Sequence, residues 1–463
     1  MKKSRIVAGL VAGLVVVGLS FPMANLMSSG RRVASVSGDA TFTAVSGVLQ
    51  AKCADCHARE VAKMPFYARL PLARDVIGKD QARAEHWWRM TAAKLEGAQP
   101  FDGADLGHLE VALAGGNMPP ARYVALHWDS RLTEAERNLL LGWIRGRRAA
   151  TPEAQQMAER HRGEAVQPVA MPTNVDDKKR LLGERLYHEV RLSGDDTVSC
   201  ATCHALNKGG TDQLVTSRGI RGQMGPINAP TTLNAAYNVL QFWDGRAKDL
   251  KEQAGGPVEN PKEMGAAFPD VVAKLQRDEV YVRDFETVFP GRGISEDTIT
   301  EAIAEYERTL VTPGTPFDRY LAGDDAAIDD KAKAGAALFV STGCAACHEG
   351  PAVGGSSFQR LGIAGDYFAD RGNVGDADLG RYAVTHDERD RHSFKVPTLR
   401  NLAVTFPYFH DGSVKTIEDG VVKMAKYQRG RTLTDSEVAE LAAFLRALTG
   451  TYAGTPVTEQ RSP

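Results

Sequence analysis

Cys53-Ala-Asp-Cys56-His57, Cys200-Ala-Thr-Cys203-His204 and Cys344-Ala-Ala-Cys347-His348 together use all six cysteines of the 463-residue chain. Two thiols three residues apart on a short turn, with an imidazole next in line, form the attachment signature of c-type haem. Each thiolate adds to one vinyl group, and the adjacent His is carried round to bind iron from one face. Two rival chemistries use similar spacings. Zinc sites built on such pairs bring further Cys or His ligands, and a disulfide framework needs a denser cysteine supply in a chain this long. Three copies with no cysteine left over predict three covalently bound haem c groups. Their thioethers fall on Cys53, Cys56, Cys200, Cys203, Cys344 and Cys347, and their iron ligands on His57, His204 and His348.

Around these motifs the chain is long enough for about three domains of roughly 150 residues each. A formal charge of −2 provides no basic field for nucleic acid, and haem propionates would make the holoprotein more acidic still. The N-terminus reads Met-Lys-Lys-Ser-Arg and then runs uncharged from Ile6 to Gly30, with the apolar part over Ile6–Phe21 and Pro22 interrupting it. This is a signal peptide or a membrane anchor. Gly18-Leu-Ser20 is only a fair cleavage site, and the whole uncharged stretch is long enough for a bilayer core. Lys2, Lys3 and Arg5 keep that end in the cytoplasm, so the bulk of the chain is exported on either reading.

The expected organisation is an anchor or signal over 1–34, a haem domain over 35–148 and a polar linker over 149–177. A second haem domain over 178–325, a third over 326–450 and a tail over 451–463 follow. Thr133–Arg148 has apolar residues at helical spacing, helical patterns dominate all three segments, and alternating strands are absent. The fold class is mostly α: three cytochrome-c-like domains behind an N-terminal segment that is either a signal or one transmembrane helix. The last two domains read as copies. Gly183-Glu-Arg-Leu-Tyr precedes the second motif and Gly335-Ala-Ala-Leu-Phe the third. Pro230-Thr-Thr-Leu-Asn with Phe242-Trp-Asp-Gly matches Pro397-Thr-Leu-Arg-Asn with Phe409-His-Asp-Gly, offset by 167 residues throughout (230 to 397, 242 to 409). Trp243 stands in one copy where His410 stands in the other.

The sixth ligand decides what such a haem does: Met raises the potential, a second His lowers it, and an open site admits substrate. For the first haem, Met118 in Gly115-Gly-Asn-Met-Pro-Pro120 is the candidate, because prolines stiffen an extended loop. Met64 and Met90 compete as possible core filler. For the third, Met424 is the only later methionine, with His410 as an alternative. The second has no comparable ligand. Between His204 and Trp243 there is no His, and only Met224 and Met264 could reach it, so it is expected open. His86-Trp-Trp-Arg-Met90 is an aromatic cluster that could line a quinol site or pack a core.

Residues 178–450 resemble the bacterial dihaem cytochrome c peroxidases, in Leu192-Ser-x-Asp195, Asn228-Ala-Pro-Thr, Phe242-Trp-Asp-Gly-Arg246, Glu252-Gln-Ala-Gly-Gly-Pro257 and Leu399-Arg-Asn…Pro407-Tyr-Phe-His410. With the N-terminal haem segment, including Met118-Pro-Pro-x-Arg-Tyr-x-Ala-Leu-His-Trp128, nearly the whole chain is similar to trihaem quinol peroxidases of the bacterial inner membrane. That resemblance favours an uncleaved anchor, with the catalytic domains in the periplasm and quinol as electron donor. It implies hydrogen peroxide reduction at the His204 haem, with Gln253 and Glu263 beside it, Trp243 bridging the paired haems and Met424 on the high-potential iron. A carboxylate suits the task, since splitting O–O heterolytically requires a proton to be taken from one oxygen and given to the other. A calcium site maps onto Asn228 and the carbonyls of Thr405 and Pro407, oxygen ligation that suits Ca²⁺. One departure from the peroxidases carries weight, and Met424 separates the chain from another relative. The capping His that gates many of these peroxidases falls on Ile220, so the gate is expected to be absent. The related oxygenase that matures tryptophan-derived quinones has Tyr where this chain has Met424. The alternatives are the same peroxidase with a soluble cytochrome donor, and a non-enzymatic electron-transfer cytochrome.

Overall fold

The computed structural model describes residues 33–457 except Asn117, together with Ser20 and Met23. The expected anchor therefore lies almost wholly outside the described residues. Among those described, no helix is long and apolar enough to cross a membrane. The chain divides into two compact units, 1–147 and 148–463.

The first unit is built on four longer helices: α1 (Ala40–Lys52), α2 (Pro71–Trp87), α3 (Gly103–Gly115) and α4 (Glu134–Ala149). Asp39 starts α1 by accepting the Thr41 N–H, and Asp102 with Asp105 forms a reciprocal capping box on α3, each satisfying donors the first helical turn leaves orphaned. Phe42, Val45 and Leu49 are spaced to share one face of α1, and they pack with Leu109 and Leu113 of α3 and Leu140 and Ile144 of α4 in one core. Trp143 meets Phe101 edge-on at 5.4 Å.

The second unit holds two lobes with one plan. In the lobe of the second motif, α5 (Asp177–Tyr187) crosses α9 (Glu296–Arg308), with α6 (Leu250–Glu259), α7 (Phe268–Gln276) and α8 (Glu279–Val288) between them in the chain. In the lobe of the third, α10 (Asp330–Ser341) crosses α12 (Asp435–Arg446), preceded by α11 (Ile417–Arg429). The two repeated glycines make these crossings possible. A Cβ on Gly183 would lie 1.9 Å from the Ala302 carbonyl oxygen, and one on Gly335 would lie 2.0 Å from that of Glu440. Only a residue without a side chain allows such close backbone approach.

The 167-residue repeat is also a repeat of backbone conformation. Asn234 and Asn401 have φ of 63° and 60°, Phe242 and Phe409 have 68° and 69°, and a short bridge joins 241 to 247 as another joins 408 to 414. Bulky residues rarely enter the left-handed region, so its recurrence at paired Phe positions marks one duplicated turn. The two asparagines converge on a single hydroxyl, with Nδ2 of each donating to Thr312 Oγ1 at 2.8 and 2.9 Å. Strand content is slight: Phe358–Arg360 pairs antiparallel with Ser393–Lys395, and a two-residue pair lies near the end.

The 149–177 segment corrects the expectation of a loose linker. Ala154, Met157, Ala165 and Val166 are buried in the third-motif core. Fully buried Arg400 pairs with Asp318 at 2.8 Å and donates to the Gln167 carbonyl at 2.6 Å. The apolar residues of 149–177 fall in scattered short runs such as Ala165-Val166 and Val169-Ala-Met171, so no period announces their burial. Phe317 and Leu321, expected in the second domain, belong to that same core.

Candidate active site

The three Cys-x-x-Cys-His motifs share one local geometry. In each, the His peptide N–H donates to the first Cys carbonyl, at 3.1, 2.9 and 3.0 Å, closing a helical turn that sets both thiols on one face. No disulfide joins any of the six cysteines. Each imidazole Nδ1 faces a backbone carbonyl: Trp88 at 2.8 Å from His57, Gly210 at 3.3 Å from His204 and Val353 at 3.2 Å from His348. That contact orients the ring with Nδ1–H as donor and leaves the Nε2 lone pair for a metal. Burial holds all three rings below the usual His range, His348 at about 4, so they stay neutral as iron ligation requires. Among the described residues, no cluster of three or more His, Cys, Asp or Glu could close a zinc shell. The residues present fit haem c.

Around His204 lies a cavity of about 480 Å³, lined by Cys200, Cys203, Trp243, Gln253 and Glu263, a volume in the usual range for cofactor sites. Helix α6 brings Gln253 and Pro257, one turn apart, to this wall. Glu263 follows on a turn after the helix. Its N–H donates to the Asn260 carbonyl at 3.0 Å, and Asn260 Nδ2 donates to Oε1 at 2.7 Å. Burial raises the Glu263 carboxyl above the usual range, against the opposing pull of Arg246 and the Asn260 bond. Trp243 is fixed at both ends: Nε1 donates to the Asn228 carbonyl at 2.9 Å, and its own carbonyl accepts the Lys395 N–H at 2.8 Å.

Ile220 is buried in the lobe core, and its N–H donates to the Glu263 carbonyl at 2.8 Å. A Cβ on Gly219 would stand 2.0 Å from the Lys262 carbonyl oxygen, so this loop is pressed against the segment that carries Glu263. Of the two methionines that could substitute as a cap, Met264 borders the cavity, whereas Met224 is half exposed and does not.

Met424 sits on α11 against a cluster of Leu361, Tyr367, Phe368, Phe394 and Tyr427 that Trp243 and Phe409 also join. His410 is committed elsewhere, its Nε2 meeting Asp378 Oδ1 at 2.6 Å and its ring stacking on Phe394. Met90 is fully buried in the first core, and its N–H donates to the His57 carbonyl at 2.7 Å. Trp88 is buried with it and donates Nε1 to Asp105 at 2.9 Å, so these two residues of the aromatic cluster support His57 as core. Met118 and Met64 are both exposed. Tyr123, five residues beyond Met118, donates its hydroxyl to Asp55 Oδ2 at 2.6 Å, tying that loop to the first haem turn. Asn228 Nδ2 donates to the Leu214 carbonyl at 2.9 Å, leaving Oδ1 available, while its N–H meets the His410 carbonyl.

Sequence reading passed over Lys395 and Glu307, buried charged residues on the cavity wall. The 167-residue offset pairs Lys395 with Asn228 (228 to 395), and that correspondence was the available signal. For Glu307 nothing in the sequence pattern marks it.

A family model described as di-haem cytochrome c peroxidase matches residues 177–326. Models for a haem-binding domain and for cytochrome c match 14–146 and 332–449. The chain is 41% identical over 459 residues, 97% of each protein, to cytochrome c peroxidase Ccp of Escherichia coli K12. It is 46% identical over 290 residues to cytochrome c551 peroxidase of Nitrosomonas europaea, covering 62% of this chain and 84% of that one. A solved MauG-like protein associated with microbial copper homeostasis superposes with a TM-score of 0.54 at 28% identity, over 62% of this chain and 94% of the other.

Proposed function

Because the chain belongs to the di-haem cytochrome c peroxidase family and is a haem peroxidase, we propose that it reduces hydrogen peroxide to water in the cavity beside His204, with membrane quinol as donor. The observation that carries this reading is the convergence of Cys200, Cys203, His204, Gln253, Glu263 and Trp243 on one cavity wall. Haem bound there supplies electrons and a Lewis-acidic iron. The chain's own residues supply the proton handling. Glu263, its carboxyl raised by burial, takes a proton from one peroxide oxygen and returns it to the leaving one. Gln253 hydrogen-bonds peroxide without titrating.

The finer features belong to the same proposal. Met118 and Met424 ligate the first and third irons, and Trp243 lies on the path by which electrons reach the second. Asn228, Thr405 and Pro407 hold calcium through oxygen atoms, as hard-cation ligation prefers. Residues 1–34 anchor the chain in the inner membrane, with Lys2, Lys3 and Arg5 on the cytoplasmic side and the haem units in the periplasm.

The test is peroxide-dependent oxidation of a water-soluble quinol by the full chain in detergent, beside reduced cytochrome c. Turnover with quinol supports the reading. Turnover with cytochrome c alone removes quinol as donor, and turnover with neither removes the peroxidase.

A further inference from the structure

The wall of the His204 cavity carries three cations: Arg246, Lys262 and Lys395. Arg246 is already engaged, with Nη1 against both Asp244 oxygens at 3.0 Å and its guanidinium 3.5 Å above the Phe242 ring. Lys262 is exposed to water. Lys395 differs from both. It ends the strand Ser393–Lys395 and is 6% exposed. Burial alone acts on its ammonium, lowering it to about 8, with no carboxylate or hydrogen bond opposing that effect. Lysine is almost never fully buried unless paired, because an uncompensated charge in a low-dielectric site is costly. An anion that enters the cavity would pair this ammonium. The group that Cys200, Cys203 and His204 fit carries two propionate carboxylates.

We propose that Lys395 Nζ binds a propionate carboxylate of the haem held at Cys200, Cys203 and His204, placing a fixed positive charge beside Trp243. The inference rests on the reading that this motif holds haem. Position supports it. The Lys395 N–H is bonded to the Trp243 carbonyl at 2.8 Å, and the preceding residue, Phe394, meets the Trp243 ring edge-on at 6.4 Å. The strand that presents the cation thus also fixes the indole. A cation beside the haem favours the extra electron of the reduced state through Coulomb attraction, so Lys395 raises the midpoint potential of this haem. It acts through the propionate and touches no reacting atom, which makes it a positioning residue.

The experiment is spectroelectrochemical titration of the full holoprotein at one pH, for wild type, Lys395→Met and Lys395→Arg, with haem content measured alongside. The Met variant should lower the potential of the second haem and leave the other two in place, and the Arg variant should recover most of the loss. Full haem content with an unchanged or raised potential in the Met variant overturns the pairing. Should Lys395→Met fail to incorporate haem, Lys395→Gln is titrated in its place with the same expected fall. Failure of Met, Gln and Arg variants alike overturns the pairing, whereas rescue by Arg alone supports it. Normal potentials in a wild-type protein that does not turn over peroxide would instead remove the peroxidase reading and leave this one standing.

Discussion

Glu263→Gln isolates proton transfer from architecture. The replacement is nearly isosteric, and the amide oxygen can still accept the 2.7 Å bond from Asn260 Nδ2. The backbone bonds to Asn260 and Ile220 are untouched, so folding and haem attachment should survive. The proton exchange is lost. A positioned acid–base group is worth about 10²–10⁴-fold, or roughly 3–5 kcal/mol of barrier at about 1.4 kcal/mol per tenfold. The pH profile provides an independent mark. Burial raises the carboxyl above its ordinary value of 4.5, and the base works when ionised. The rate of the wild type should therefore rise with pH through that raised value and level off above it. In the variant this acid limb should vanish. The assay is steady-state peroxide consumption from pH 4 to 8, with the haem spectrum confirming assembly. Turnover within about threefold of wild type, or an unchanged acid limb, would refute the assignment.

Met118→Ala and Met424→Ala should each alter one low-spin haem and lower its potential, as loss of a thioether ligand requires; a variant that keeps wild-type spin state and potential removes that ligand. Gly183→Ala should force α5 away from α9, because its Cβ would meet the Ala302 carbonyl oxygen at 1.9 Å. Urea unfolding should then show a loss at or above the roughly 1–3 kcal/mol usual for overpacking, and an unchanged midpoint would mean the helices do not cross there. Cyanide mixed with the fully oxidised protein should perturb one haem at once, because Ile220 is buried in the core and cannot bind iron. An oxidised protein that is wholly low-spin until half-reduced would point to Met264, which borders the cavity.

The local chemistry was fixed by residue type and spacing alone. Cys-x-x-Cys-His is a one-turn device whose i and i+3 thiols share a face in any context, and all three copies adopt it. The duplication was equally legible, because its motifs recur at one constant offset of 167 residues and its paired glycines precede both haem turns. Convergence over long range was decided by the tertiary structure. Glu263, Trp243 and His204 are far apart in the chain, and nothing in their spacing places them on one cavity wall. Resemblance to a family nominated them; packing of α6 and the Ile220 loop brought them together. Residues 149–177 read as solvent-loving because their few apolar side chains follow no period, and only the third-motif core and the buried Arg400 give them something to pack against. Lys395 carries no mark in the sequence beyond its register with Asn228. Its N–H is bonded to the carbonyl of Trp243, far earlier in the chain, and burial is a property of neighbours that sequence order does not contain.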